Sequence, residues 1–293
     1  MIAILGGLGA AACWAAANLA SSRSSRLIGA SSTVAWMMVV GLAVTTPFAL
    51  ISGPLPLITP TLAVWLVASG LGGVIGLLLV YRGLRIGKIG VVLALASTEG
   101  AIAALMSVVA GETLTLSSAV VLGVIAIGVV TVALAGGAAE PAPADGDAGP
   151  KTGLSLERRA ALFGAGAAIA FGFSIYGTAM AGKSLPLVLA VMPARVVGVG
   201  IVFIPMAFAR RLRMTRRAVP FVVIVGLGEV LGNASYILGS RDSIAIASVL
   251  ASQFAAFAAV AAFFLFHERL SLPQRSGFVA IAVGVAVLTV VRG

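Results

Sequence analysis

Charge is scarce in this 293-residue chain: only 10% of its residues are Asp, Glu, Lys or Arg, where an average soluble domain has about 25%. Acid is the scarcer sign, with nine Asp and Glu against 19 Lys and Arg. There is one cysteine, Cys13, and one histidine, His267. A single cysteine excludes an intrachain disulfide, and Cys13 lies within an apolar run, where it reads as a small packing residue. One histidine and one cysteine cannot build a tetrahedral zinc site without several carboxylates. His267 adjoins Glu268 near the end of an apolar run, and no second histidine could pair with an intramembrane serine. We therefore expect no enzyme, no metal and no cofactor.

Apolar residues fill the space that charge leaves. They make up 60% of the chain, and the mean hydropathy is +1.16. Apolar runs fall at about 2–20, 32–51, 61–82, 89–110, 115–136, 159–181, 186–208, 218–239, 244–266 and 273–291. Each is about the length of a helix that crosses a bilayer. The expected fold is an all-α integral membrane protein of ten spans, with almost no room for a soluble catalytic domain. The first run has the apolar stretch of a signal peptide, yet no Lys or Arg precedes Arg23. It reads as a retained first span.

The stretch GGAAEPAPADGDAGPKTG, 136–153, is rich in Ala, Gly, Pro and Asp and has the composition of a flexible linker. It predicts a five-span unit over 1–136, a linker over 137–157 and a second five-span unit over 158–293. The two units resemble each other. Gly70-Leu-Gly-Gly-Val-Ile-Gly76 aligns with Gly226-Leu-Gly-Glu-Val-Leu-Gly232 at an offset of 156 residues. The same offset pairs Gly83 with Gly239, Arg85 with Arg241, and Glu112-Thr-Leu-Thr-Leu with Glu268-Arg-Leu-Ser-Leu.

Because five is odd, the second unit enters the membrane in the opposite sense to the first, which makes the repeats inverted. The basic residues agree with this reading. Fifteen of them lie in the loops that follow odd-numbered spans, whereas the other loops and the termini hold Lys183, Arg241 and Arg292. The loop 52–60 has no Lys or Arg, while its counterpart RRLRMTRR, 210–217, has five. By the positive-inside rule the odd-to-even loops and the linker face the cytoplasm of a cell inner membrane, with both termini outside. The net charge of +10 is thus a topology signal that also meets anionic lipid. It is not the basic face of a nucleic-acid-binding domain.

Three ionisable residues fall near the middle of runs: Glu99, Arg195 and Glu229. Such residues are costly in hydrocarbon and are functional candidates by default. The competing reading is that they pair with one another and only lock helices together. Gly226, Glu229, Asn233, Tyr236 and Ser240 follow helical spacing and form one stripe, facing either a watery cavity or a polar helix seam. Trp14, Asn18, Ser97, Thr98, Phe171, Ser174, Tyr176, Ser252 and Gln253 lie at similar depth, whereas Trp36 and Trp65 read as interfacial anchors. Several look-alike motifs fail on spacing or context. Gly226-x-Gly-x-x-x-Gly232 is not a dinucleotide fingerprint, Gly83 to Lys88 is one residue short of a P-loop, and the sequon at Asn233 falls inside a span.

With these features the chain resembles the EamA type of the drug/metabolite transporter superfamily. The resemblance rests on the five-plus-five runs, the duplicated glycine-rich third spans and the acids Glu112 and Glu268 that close the fourth span of each half. It implies a secondary transporter with a central cavity between the halves, opened alternately to each side. The family's tendency to carry a mid-span arginine is met by Arg195 in the second half only. One mid-membrane cation with two acids suits a small zwitterion or a cation better than a phosphate dianion. The expected function is export of small metabolites, most of all amino acids. Multidrug or cation efflux and passive facilitation are the alternatives. The expected substrate site is Arg195, Glu229, Glu99, Asn233, Tyr236, Trp14, Phe171, Ser252 and Gln253. The expected partners are the substrate and the bilayer, with a monomer or homodimer as the assembly and no nucleic acid.

Overall fold

The computed structural model describes residues 1–53, 56–86, 89–136, 154–266 and 272–292, and every regular element among them is helical. The first half holds α1 (Ile2–Ile28), α2 (Ala30–Ile51), α3 (Pro60–Ile86), α4 (Ile89–Ala96), α5 (Glu99–Val109) and α6 (Leu116–Gly136). The second holds α7 (Leu154–Ser184), α8 (Leu187–Gly198), a π-helical turn at Val199–Phe203, and α9 (Ile204–Phe208). It continues with α10 (Val219–Ser240), α11 (Ile244–Ala251), α12 (Phe254–Phe266) and α13 (Leu272–Arg292).

Among the described residues, seven helical stretches are long and apolar enough to cross a membrane: Ile2–Ile28, Ala30–Ile51, Pro60–Leu84, Val91–Val109, Arg158–Ser184, Leu187–Phe208 and Val219–Ser240. Shorter apolar stretches, Leu116–Thr131, Ile244–Ala258 and Val279–Val290, fall within the fifth, ninth and tenth runs of the sequence. The expected linker over 137–157 lies outside the described residues up to 153, and α7 already begins at Leu154.

Two of the apolar runs are interrupted where the sequence suggests continuity. Between α4 and α5, Ser97 Oγ donates to the Ala94 carbonyl at 2.8 Å and Thr98 Oγ1 to that of Leu95 at 2.7 Å. Between α11 and α12, Ser252 Oγ donates to the Val249 carbonyl at 2.8 Å and Gln253 Nε2 to the same carbonyl at 3.3 Å. Short polar side chains that bond nearby carbonyls compete with the regular ladder. The backbone tightens at each place, with Thr98 N bonding Leu95 O and Gln253 N bonding Leu250 O, both three residues back. The seventh run is disturbed differently. Pro193 removes one donor inside α8 and the helix widens into the π turn six residues later.

The helices are held together by small residues. α1 packs closely on α10 and α3 on α7. A Cβ on Gly6 of α1 would come within 2.5 Å of the backbone of Gly239 in α10, and one on Gly72 of α3 within 2.6 Å of the Ala170 carbonyl in α7. Without a hydrophobic drive between helices in lipid, such close backbone approach supplies the packing energy. The duplicated glycine segments thus sit at the two most intimate helix contacts. The deepest core lies around α11, whose residues Ile244 to Ala251 are all buried, while large apolar side chains such as Leu50, Leu116 and Val290 are exposed on the outside.

Candidate functional site

Arg195 on α8 is 2% exposed, and its Nη2 lies 3.4 Å from Glu229 Oε2 on α10. Of the two mid-span acids the structure therefore pairs Arg195 with Glu229. The guanidinium is accommodated by a missing side chain. A Cβ on Gly41 of α2 would come within 2.9 Å of Arg195 Cδ. Arg195 Nη1 also points at Met38 Sδ of α2, 3.7 Å away, and Nε has no hydrogen-bond partner. Glu229 remains 27% exposed, so one side of the pair is open. Asn233, one turn on, donates from Nδ2 to the Glu229 carbonyl at 2.7 Å. A guanidinium with a free donor beside a half-exposed carboxylate can trade its partner for another anion.

A second group surrounds Tyr236, which is fully buried. Its hydroxyl donates to the Ile175 carbonyl of α7 at 3.2 Å and shares a 2.9 Å hydrogen bond with Ser248 of α11. Trp14 of α1 lies with its ring 6.3 Å from Tyr236 and 6.4 Å, edge to face, from Phe254 of α12. Trp14 packs on Gly232, the last glycine of the duplicated segment. The two helix interruptions meet beside this cluster, because a Cβ on Gly100 would come within 2.8 Å of Ser252. Glu99, the first residue of α5 and the neighbour of Gly100, is buried there. Ser252 and Gln253 are buried as well, and Gln253 Oε1 lacks a partner.

Phe171 stands apart from these groups. It packs on Gly76 of α3 and on the cluster of Val80, Val92 and Ala96. Trp14 on Gly232 and Phe171 on Gly76 are nevertheless related contacts, each an aromatic of one half against the last glycine of the other half's segment. The helical stripe on α10 also divides. Gly226 faces Val40 of α2, Glu229 meets Arg195, Tyr236 reaches α7 and α11, and Ser240 bonds within its own helix. A cavity of about 640 Å³ is lined by Met1, Ile2, Leu238, Arg241 and Asp242, and one of about 280 Å³ by Phe203, Ile204, Ala207 and Phe208. The Arg195–Glu229 pair belongs to neither.

Two contributions were not read from the sequence. Trp65, expected as an interfacial anchor, instead turns its indole N–H inward and packs edge to face on Tyr176 at 5.3 Å. Trp36 does sit at a span end, donating to the Arg213 carbonyl at 3.1 Å. Glu112, read as the acid closing the fourth span, accepts hydrogen bonds from the Ser243 hydroxyl and from Ala245 N at 3.3 Å. It thereby ties the loop after α5 to the N-terminus of α11 in the other half, where a carboxylate is favoured by the helix dipole. Its counterpart Glu268 lies outside the described residues, as does His267.

Fold and site define a polytopic helical membrane protein with a small charged interior. Residues 1–134 match the EamA-like transporter family, and over that part of the chain the match agrees with the resemblance drawn from the glycine segments. A solved structure described only as a crystal structure of a protein shares the fold, with a TM-score of 0.77 and 17% identity. The likeness covers 99% of this chain and 97% of that one. Comparison with curated proteins finds no match.

Proposed function

We propose that the protein is a secondary transporter that exports small metabolites, amino acids most of all, by alternating access. In this reading two inverted five-helix repeats, 1–136 and 158–293, cross a cell inner membrane ten times, with the basic odd-to-even loops in the cytoplasm. The observation that carries it is an exchange relation in the packing. α3 packs on α7 and α10 on α1; α2 packs on α10 and α8 on α3; α5 packs on α7 and α12 on α1. Under the offset of 156 residues, each of these contacts is its companion with the halves swapped. Two nearly equivalent arrangements of one interface are what rocking between outward and inward openings requires.

Substrate binding is then an exchange of partners. The carboxylate of an amino acid takes the place of Glu229 at Arg195, and the released Glu229, or Glu99, meets the ammonium group. Trp14, Tyr236 and Phe171 give apolar surface, with Asn233, Ser252 and Gln253 as further polar contacts. A zwitterion leaves the net charge of the interior unchanged, which avoids stranding a buried ion. The test is amino-acid flux in liposomes. Arg195→Ala and Glu229→Gln should each lower it at least about tenfold, the size of one charge-assisted hydrogen bond; unchanged flux would sink the assignment.

A second reading, efflux of organic cations, is favoured by one observation. Arg195 neutralises only one acid, which leaves Glu99 near an aromatic cluster suited to cations. Methyl esters of the same amino acids separate the two. The zwitterion reading expects them to be poor substrates, whereas the cation reading expects them to be transported in a manner that depends on Glu99. A passive facilitator would show no trans-stimulation with either.

A further inference from the structure

The loop 209–218 is strongly basic, and the structure shows it to be an ordered surface. Arg210, Arg211, Arg213, Arg216 and Arg217 are all exposed, and no Asp or Glu occurs anywhere from 158 to 228. Its backbone is fixed from both sides. Arg210 N bonds the Ala207 carbonyl at 3.0 Å and Arg211 N that of Met206 at 2.9 Å, with Arg210 held at a φ of 52°. Arg213 N bonds Ser32 Oγ of α2 at 3.1 Å, and Trp36 of α2 donates to the Arg213 carbonyl at 3.1 Å. The Trp36 ring also packs edge to face on Phe203 at 5.2 Å.

Phe203 belongs to the groove of about 280 Å³ that Ile204, Ala207 and Phe208 complete. An apolar groove therefore runs along the π turn and α9 and ends at the residue whose carbonyl anchors Arg210. Phe208 at its mouth is 87% exposed. We infer that this end of the molecule is a binding site for one anionic phospholipid, its acyl chain lying in the Phe203–Phe208 groove and its phosphate held by Arg210, Arg211 and Arg213. Guanidinium groups suit phosphate oxygens because they offer paired donors, and the groove supplies the apolar half of an amphiphile. A free phosphate would use only the arginines. The pseudo-equivalent loop, 52–60, carries no Lys or Arg, so the site exists on one repeat alone, and it is independent of what the protein transports.

The test uses the full-length protein in detergent, incubated with equal phosphatidylglycerol and phosphatidylcholine, with retained lipid read by native mass spectrometry. Wild type should retain phosphatidylglycerol preferentially. Arg210→Gln/Arg211→Gln/Arg213→Gln should lose that preference by roughly fivefold per contacting arginine. Ala207→Phe, which fills the groove and leaves every charge in place, should also lower phosphatidylglycerol retention. Arg158→Gln/Arg159→Gln, which removes two exposed arginines elsewhere, should leave it unchanged. Soluble glycerol phosphate should not displace the lipid. The inference is overturned if the triple variant retains phosphatidylglycerol as wild type does, or if the Arg158/Arg159 variant loses as much per charge. It also fails if Ala207→Phe has no effect or if glycerol phosphate competes efficiently. Should the triple variant unfold, the Ala207→Phe and competition arms still decide it.

Discussion

Arg195 and Glu229 occupy positions whose equivalents in the first half are Val39 and Gly73, at the shared offset of 156 residues. Both members of the ion pair are thus absent from one repeat and present in the other. That pattern allows structure and function to be separated. Glu229→Gly alone leaves a buried guanidinium without its partner and should destabilise the protein by roughly 2–4 kcal/mol, at the low side of a broken buried pair because Glu229 is 27% exposed. Arg195→Val/Glu229→Gly copies the first half and should recover most of that loss in a thermal unfolding series, yet stay inactive in the flux assay. If the double variant transports normally, the pair only locks α8 to α10. At this scale the sequence marks Arg195, Glu229 and Glu99 clearly, because ionisable groups in apolar runs are rare. It does not choose between the two acids, since both are central in their runs and the choice depends on which helices meet. Trp65 was misread for the related reason that distance from a span end says nothing about the direction in which a ring points.

Helix contacts in this protein depend on whether a glycine meets backbone or open space. Gly6 abuts the Gly239 backbone, which cannot turn aside as a side chain can, whereas Gly123 of α6 has nothing within 4 Å of where a Cβ would stand. Alanine normally stabilises a helix interior by about 1 kcal/mol relative to glycine. Gly123→Ala should therefore be neutral or raise the melting temperature. Gly6→Ala must push α1 from α10 and should cost roughly 1–3 kcal/mol, the range of an overpacked core. Equal melting temperatures for the two variants would remove the close-packing role assigned to Gly6 against Gly239. The positions of most helices were legible in the apolar runs and their punctuation. The interruptions at Ser97–Thr98 and Ser252–Gln253 were not, because a helix that is apolar on every side gives little periodicity to lose. What stops the ladder there is a few hydroxyl and amide groups bonding their own turn, which composition does not reveal.

For the molecule as a whole, the contacts α3–α7 and α1–α10, and likewise α2–α10 and α3–α8, exchange under the offset of 156 residues at which the two glycine segments align, while the loops 52–60 and 210–217 differ in charge. Thr59 and Thr215 are equivalents at the offset of 156 residues, both exposed, one in a loop without arginine and the other in the loop with five. Five apolar runs lie between them, the third to the seventh. If each crosses the membrane once, the two threonines are on opposite faces; if one of them fails to cross, or one crosses twice, they share a face. Parity therefore turns a question about five helices into one about two residues. With Cys13 replaced by serine as background, Thr59→Cys should react with a membrane-impermeant maleimide in intact cells, and Thr215→Cys only in inverted vesicles. Labelling of both from the same side would end the inverted-repeat reading. Labelling on opposite sides in the reverse sense would keep the repeats, but it would turn the whole protein over and put the arginine loop, against the positive-inside rule, outside the cell.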